Sequence, residues 1–394
     1  MRMTNTVSVM MSLIADTVLG TAGRPESQTA KAALTDEELQ KLDRLSDAHD
    51  LSHLVGSALL SQELIRDEEW KARFKKQIMK AVFRCEKNEF ELERLKETLS
   101  RAQIPFIPLK GSVLRAYYPE PWMRTSCDID ILVHEEDLER AGAVLCEKLS
   151  YQGGEKNYHD VAFYAPGGVH LELHYTLCES KAEKDFDPVL ESAWERAFPA
   201  CEGSFEQILP DELFYYYHLA HMAKHFEIGG CGVRPFLDLF VLCHKVPHDK
   251  EKRNALLEEG GLSAFAGASE QLSKVWFGGA GHTALTRQME AYLLGGGVYG
   301  TTSNRVSVQQ VKRGGKIRYA LSRIWLPYDS LKFHYPSLEG KRFLLPFYEI
   351  RRWCKLIFRG GARRGINEMH LNATATKEAQ SRTAQMLSEL GLNR

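Results

Sequence analysis

The spacing of hydrophobic residues divides the chain into a helical beginning, a short β-rich middle and a long helical end. In the first hundred residues apolar side chains such as Leu39 and Leu42 recur every three or four positions, which is the period of an amphipathic helix. Thr35 followed by Glu38 is typical of a helix start, because the two residues cap each other's backbone N–H groups. Residues 1–100 are therefore predicted to form a helical region.

Alternation replaces this period near Ile104. The stretch Asp128–Val133 alternates polar and apolar residues, as a half-buried strand does. Two further alternating stretches, Tyr158–Tyr164 and Val169–Tyr175, flank a Pro-Gly-Gly turn and predict a β-hairpin. Residues 101–208 are expected to form a small mixed sheet.

The helical period returns at Pro210 and continues to the end of the chain. Gly295 to Arg305 is rich in Gly, Thr and Ser, which favours a linker. The predicted fold is α+β: a small mixed β-sheet core flanked by helical regions at residues 1–100 and 209–394.

Candidate chemistry begins with two aspartates on the strongest strand. Asp128 and Asp130 share one face because side chains alternate, and paired carboxylates are the ligands that magnesium prefers. Glu172 lies on the polar face of a hairpin strand and completes a carboxylate triad if that strand is adjacent. Asp160, on the other arm of the hairpin, is the alternative third ligand.

A turn upstream of this strand has the composition of a phosphate-binding loop. Gly111 and Ser112 lie between a predicted strand and a predicted helix, where backbone N–H groups can approach phosphates closely. Lys110 adds a positive charge. Arg124, four residues before Asp128, lies within reach of a phosphate.

These residues resemble a known superfamily. Lys110-Gly111-Ser112, then Arg124 and the Asp128–Val133 strand, are similar to the signature of polymerase-β-like nucleotidyltransferases. More narrowly, the chain resembles a bacterial family of uncharacterised nucleotidyltransferase-like proteins. That likeness extends to Asp50–Val55, His218–Phe226, Gly229–Arg234 with Asp238, Tyr335–Leu338 and Leu345-Pro346.

The resemblance implies an enzyme that uses ATP or another NTP, with metal ligands at Asp128, Asp130 and Glu172. The expected reaction is two-metal transfer of an NMP, with Mg2+ or Mn2+, to a hydroxyl of a small molecule, a protein or an RNA end. A second reading is a nucleotide-binding or scaffolding protein that keeps the fold without turnover.

A third hypothesis is a metal-dependent phosphohydrolase whose metal ligands are histidines of one predicted helix. His218, His221 and His225 recur on one helix face, as metal ligands of a phosphohydrolase would, although a buried histidine face fits equally. Lys224 and His225 are alternatively placed beside the nucleotide. Arg234 and Asp238 lie one helical turn apart, which favours an ion pair or a nucleotide contact.

The composition of the whole chain points to no particular partner, but one region is strongly basic. The net charge is −1, and the eight cysteines form no C-x-x-C pair, which favours a reducing, cytoplasmic setting. No apolar run reaches membrane-spanning length. Residues 305–364 contain fifteen Lys or Arg against three acidic residues, interleaved with aromatics. A basic region with interleaved aromatic residues can bind nucleic acid or an anionic membrane surface. It can also be a solvated helix face that balances acidic residues elsewhere in the chain.

Overall fold

The computed structural model describes residues 3–20, 33–178, 187–358 and 362–393. The chain separates into two compact units, which are described one at a time. The first unit comprises residues 1–221 and 233–282, and the second comprises residues 222–232 and 283–394. The three-region division drawn from the sequence stays a prediction.

The α-helices of the described residues are numbered in chain order. They are α1 (Met3–Leu19), α2 (Asp36–Ala48), α3 (Ser52–Ser61), α4 (Glu68–Arg101), α5 (Gly111–Leu114), α6 (Leu138–Leu149), α7 (Pro188–Glu191), α8 (Ala193–Arg196), α9 (Asp211–Ile228), α10 (Arg234–Lys245), α11 (Lys250–Glu259), α12 (Ser263–Phe277), α13 (Ala284–Leu294), α14 (Thr302–Lys312), α15 (Lys316–Ile324), α16 (Tyr328–His334), α17 (Leu345–Phe358), α18 (Ala362–Thr374) and α19 (Lys377–Glu389). None of these helices, within the described parts of the chain, is long and apolar enough to cross a bilayer.

The strands form one sheet of functional interest and a separate short pair. They are β1 (Phe106–Pro108), β2 (Asp128–Val133), β3 (Gln152–Lys156), β4 (Asp160–Tyr164), β5 (His170–His174), β6 (Phe198–Pro199) and β7 (Gln207–Ile208). The five-stranded sheet has the order β1-β2-β5-β4-β3. Strands β2 and β5 run parallel, and the other neighbours are antiparallel. The predicted hairpin is confirmed as β4 and β5, with Tyr164 paired to His170.

One face of this sheet belongs to the hydrophobic core. Ile129 and Ile131 on β2, together with Leu171 and Leu173 on β5, are fully buried among apolar residues of α4 and α6. Because side chains alternate along a strand, the residues between them project to the opposite face. The buried face thus anchors both strands and leaves the other face to polar side chains. The α+β class predicted from the sequence is confirmed.

One helix before the sheet begins where the sequence predicts. The Thr35–Glu38 capping box is present, with the Thr35 hydroxyl accepting from the Glu38 backbone N–H and the Glu38 carboxylate accepting from that of Thr35. Helix α1 buries Met10, Ile14 and Val18 and packs against α2, α3 and α12.

The second unit contains the stretch that the sequence marks as a linker, and that prediction is wrong. The backbone N–H of Thr301 and the side-chain amide of Asn304 both donate to the carbonyl of Gly229, at 3.3 and 3.1 Å. A Cβ atom on Gly300 would lie 2.1 Å from that carbonyl oxygen. The glycines therefore permit a close backbone contact rather than flexibility.

Candidate active site

Three carboxylates meet on the polar face of the sheet. The parallel register pairs Asp130 with Glu172 and Asp128 with His170, so all four side chains project to the same side. Ligand atoms of Asp128, His170 and Glu172 lie within 4.8 Å of one another, and those of Asp130, Glu172 and His174 do so as well. The convergence expected from strand alternation is therefore present, and the catalytic role of these residues stays a prediction.

Lys110 lies among these carboxylates. Its Nζ donates to Asp130 Oδ1 at 2.7 Å and lies 3.8 Å from Glu172 Oε2. Burial alone would lower the pKa of Lys110, but Asp130, Tyr217 on α9 and Glu172 outweigh burial and raise it well above its usual range. The ammonium is therefore a permanent positive charge in the site.

The backbone of Lys110 is also unusual. Its φ of 43° lies in the left-handed region that side chains other than glycine rarely adopt. Conformations of this kind persist where the surrounding structure holds them, often at functional sites. The unusual backbone conformation of this turn is therefore at Lys110, one residue before the glycine.

His174 belongs to the site although it was not among the residues predicted from the sequence. Its Nε2 donates to Asp130 Oδ1 at 2.9 Å and lies 3.6 Å from Glu172 Oε2. Burial would lower the pKa of His174, but hydrogen bonds to Asp130 and Glu172 raise it above its usual value. The available signal was its place as the third polar residue of β5, in line with Glu172.

The two aspartates have pKa values that diverge. Burial, then the charges of Asp130 and Glu172, raise the pKa of Asp128 to about 6. Burial acts in the same direction on Asp130, but Lys110 and His174 outweigh it and hold that pKa well below its usual range. Asp130 is thus charge-compensated within the protein, whereas Lys110 and His170 only partly offset burial and like charge at Asp128, which would gain from a cation.

Gly111 and Ser112 adjoin this site. A Cβ atom on Gly111 would lie 3.0 Å from the Cβ of Ser126, so any side chain here would crowd the segment that leads into β2. The Ser112 hydroxyl is buried and finds no hydrogen-bond partner among the described residues. Both residues lie in helix α5, which is a single turn.

Arg124 is buried and paired. Its Nε donates to the two oxygens of Asp238 at 2.7 and 2.9 Å, and its Nη1 donates to the carbonyl of Thr125 at 2.6 Å. The Tyr118 hydroxyl donates to the same Asp238 at 2.7 Å. Asp238 is 0% exposed. This pair fixes the segment before β2, and nucleotide contact by either residue stays a prediction.

Arg234 does not pair with Asp238, and that expectation from helical spacing is wrong. Its Nη2 donates to Asp50, which Arg84 also contacts at 3.4 Å. Asp238 is already neutralised by Arg124, which approaches from outside α10. A nucleotide contact by Arg234 stays a prediction.

The histidines of α9 do not form a metal cluster. His218 Nε2 donates to the carbonyl of Pro235 at 2.9 Å. Within residues 3–20, 33–178, 187–358 and 362–393, the clusters of ligand atoms close enough to hold a metal are the two on the sheet. Lys224 and His225 lie within residues 222–232 of the second unit, and their predicted nucleotide contact stays a prediction.

The alternative third ligand, Asp160, is engaged elsewhere. Its carboxylate lies 3.2 Å from His159 Nε2 and accepts from the Asn157 side-chain amide at 3.2 Å. Neither cluster of ligand atoms found on the sheet includes it.

The donor set suits a hard divalent cation. Asp128, Asp130 and Glu172 offer carboxylate oxygens, which magnesium and manganese prefer, and the crowding of the three carboxylates, felt most at Asp128, makes a further positive charge favourable. The structure thus brings carboxylates from two adjacent parallel strands beside a lysine-glycine-serine turn, as the sequence predicts for a nucleotidyltransferase.

Comparison with known proteins identifies the family. A family model described as "Uncharacterised nucleotidyltransferase" matches residues 35–278, and the chain belongs to this family. The predicted enzyme class, a nucleotidyltransferase, is thereby confirmed. No curated protein matches the chain.

A solved structure is also similar to this chain. It is titled "Thermotoga maritima CCA-adding enzyme complexed with tRNA_CCA", with 12% sequence identity over 78% of this chain and 84% of that chain. The TM-score is 0.22, which is too low for the likeness to support an inference about this protein.

Proposed function

We propose that this enzyme transfers a nucleoside monophosphate from an NTP such as ATP to a hydroxyl acceptor and releases pyrophosphate. Asp128, Asp130 and Glu172 would hold Mg2+ or Mn2+. The observation that carries this proposal is the parallel register of β2 and β5, which places Asp130 directly opposite Glu172.

The three carboxylates differ in burial, and we expect their roles to differ accordingly. Asp130 is almost fully buried and is held by Lys110 and His174, so its oxygens are fixed in place. Asp128 is half-buried, and the Glu172 side chain is 26% exposed, so both reach the open side of the site. When bound, the divalent cations would neutralise the triphosphate and lower the pKa of the acceptor hydroxyl.

The acceptor is expected to approach from the side of Glu172. Glu172 is the more exposed member of the aligned pair Asp130–Glu172, and its carboxylate is placed to take the proton of an incoming hydroxyl. His170 lies on the same face and has an Nε2 atom without a partner in the described structure. It can donate to, or accept from, a polar acceptor group.

The phosphates are expected to lie beside Lys110 and Ser112. The Lys110 ammonium is positively charged at any physiological pH, and the Ser112 hydroxyl is a buried donor that has no acceptor among the residues that the structure describes. A phosphate oxygen would satisfy both groups. Lys110 would then exchange part of its contact with Asp130 for a contact with the β- or γ-phosphate.

Labelled nucleotides separate the possible reactions. The native enzyme is incubated with Mg2+, cell lysate and each NTP, labelled either on the α- or on the γ-phosphate. Transfer of NMP leaves the α-label on the acceptor and the γ-label in pyrophosphate, whereas phosphoryl transfer leaves the γ-label on the acceptor.

Matched variants assign the reaction to the site. Asp128→Asn is expected to abolish transfer of the α-label, whereas Glu136→Gln, an exposed acid that follows β2, is expected to leave it unchanged. Nucleotide binding without pyrophosphate release would favour the scaffolding alternative. Equal transfer by the native protein and Asp128→Asn would refute the proposal.

A further inference from the structure

The solvent-facing side of α17 is apolar. Phe347, Ile350 and Ile357 are each at least 60% exposed, and their spacings of three and seven residues place them on one helix face. The opposite side of the same helix buries Tyr348 and Glu349. A helix in water normally turns its apolar face towards the protein core. In α17 an apolar face is instead exposed to solvent, which is typical of a surface that binds a partner.

Helix α15 presents a second apolar stripe. Ile317 is 77% exposed and Leu321 is 58% exposed, one helical turn apart. The two helices are joined where α15 ends, because Trp353 Nε1 and Arg352 Nη2 donate to the carbonyl of Ile324 at 3.1 and 2.8 Å. We call the set Ile317, Leu321, Phe347, Ile350, Trp353 and Ile357 the α15–α17 face.

The charges around this face are strongly one-sided. Arg318, Arg351 and Lys355 on these two helices are exposed. Two acids that contact the helices, Glu349 and Glu368, are buried. Each is neutralised by an arginine: Glu349 accepts from Arg352 at 2.7 Å, and Glu368 accepts from Arg323 at 3.1 Å. The rim of the face is therefore cationic.

We propose that the α15–α17 face docks on the surface of an anionic lipid bilayer. Such a surface offers negatively charged headgroups to the exposed arginines and lysine and an apolar interior to the isoleucine and phenylalanine side chains. Trp353 has an indole N–H bonded to a carbonyl and a partly exposed ring, as is common for tryptophan at a membrane interface.

Other occupants fit these features less well. A second copy of this chain would bring like charge against the cationic rim, which is unfavourable. A nucleic acid would satisfy the rim but would leave the aliphatic side chains without apolar contacts. Because no helix in the described parts is suited to span a bilayer, docking would be peripheral. The proposal does not depend on the proposed nucleotidyl transfer.

Vesicle sedimentation tests the proposal with the full chain. Native protein is expected to pellet with vesicles that contain phosphatidylglycerol and to remain largely in solution with pure phosphatidylcholine vesicles. Phe347→Ser combined with Ile350→Ser is expected to weaken binding at least about tenfold, and Arg351→Gln with Lys355→Gln by a similar factor.

A matched control separates this face from general stickiness. Met79 and Phe83 on α4 are 66% and 71% exposed, so Met79→Ser with Phe83→Ser removes comparable apolar surface elsewhere. This control is expected to bind as the native protein does. Circular dichroism is expected to show unchanged helix content in every variant, because all these side chains are exposed.

Several results would overturn the proposal. One is that native protein does not sediment with anionic vesicles. Another is that the α4 control loses as much vesicle binding as the α15–α17 variants, and a third is that neither double variant changes vesicle binding. A change of sedimentation coefficient in the Phe347→Ser/Ile350→Ser variant without vesicles would indicate self-association instead. Retention of native protein on immobilised RNA, without vesicle binding, would indicate a nucleic-acid partner instead.

Discussion

The buried pair between Arg124 and Asp238 makes a quantitative prediction about the segment that carries the aspartates. In Asp238→Ala, the Arg124 guanidinium stays buried without a counter-charge, and the Tyr118 hydroxyl loses its acceptor. Breaking a buried ion pair on one side costs about 3–5 kcal/mol, and an orphaned hydroxyl costs about 1–3 kcal/mol. Because the two costs overlap, we expect a loss of about 4 kcal/mol.

Hydrogen exchange measures this loss where it occurs. The chain has two compact units, so a single unfolding transition would mix their stabilities. Amide exchange of β2 reports local opening instead, and a loss of about 4 kcal/mol corresponds to exchange about a thousandfold faster. An acceleration of less than about tenfold would refute the reasoning, because the pair would then contribute little beyond a surface ion pair.

The double variant Arg124→Met with Asp238→Leu supplies the control. It removes both charges together, and apolar replacement of a buried pair is often neutral, so most of the protection of β2 should return. If protection returns but the KM for the NTP rises, Arg124 also contacts phosphate, as the sequence predicts. If protection is no better than in Asp238→Ala, the cost does not arise from an unpaired charge.

Three further predictions concern the site and its supports. Lys110→Met should bind Mn2+ about tenfold more tightly without nucleotide, because the ammonium no longer repels the cation or competes for Asp130 and Glu172. The same variant should bind the NTP more weakly, and unchanged or weaker Mn2+ affinity by calorimetry would contradict this reasoning. Burial lowers the pKa of His53 from 6.5 to about 4, so the unfolded chain binds a proton that the folded chain excludes, and stability is lost as pH falls below about 6.5. The free energy of opening, measured by amide exchange of α3, should fall by about 2 kcal/mol more in the native protein than in His53→Gln between pH 7 and pH 5, and equal changes in the two proteins would exclude this role. Gly111→Val should slow transfer of the α-label more than Ser112→Ala does, because its side chain would collide with Ser126; equal rates for native and Gly111→Val would refute the packing argument.

Strand alternation predicted much of the site. The alternation in β2 and β5 correctly assigned Asp128, Asp130 and Glu172 to polar faces, because one face of each strand is apolar throughout. The same pattern also contained His174. Alternation does not reveal the order of strands in a sheet. The prediction that β2 and β5 are adjacent therefore depended on the predicted hairpin and on the resemblance to a known family. Strand β3 was not predicted, because Gln152–Lys156 has no apolar alternation.

Partners distant in the sequence were not predictable either. Arg124 and Asp238 are 114 positions apart, and Arg234 and Asp50 are 184 positions apart. Helical spacing suggested a pair between Arg234 and Asp238, since spacing reports only local neighbours. Tertiary packing selected other partners with stronger geometry, including the fully buried Asp238.

The contact between Gly229 and Gly300 has a practical consequence for handling this protein. Residues 295–305 have the composition that a protein engineer would choose for an inserted tag or a cleavage site. Their backbone is instead already hydrogen-bonded to the end of α9, and even one methyl group on Gly300 has no room. A protease specific for unstructured segments should therefore pass over this stretch, and an insertion there would separate α13 from α14 and disturb the second unit.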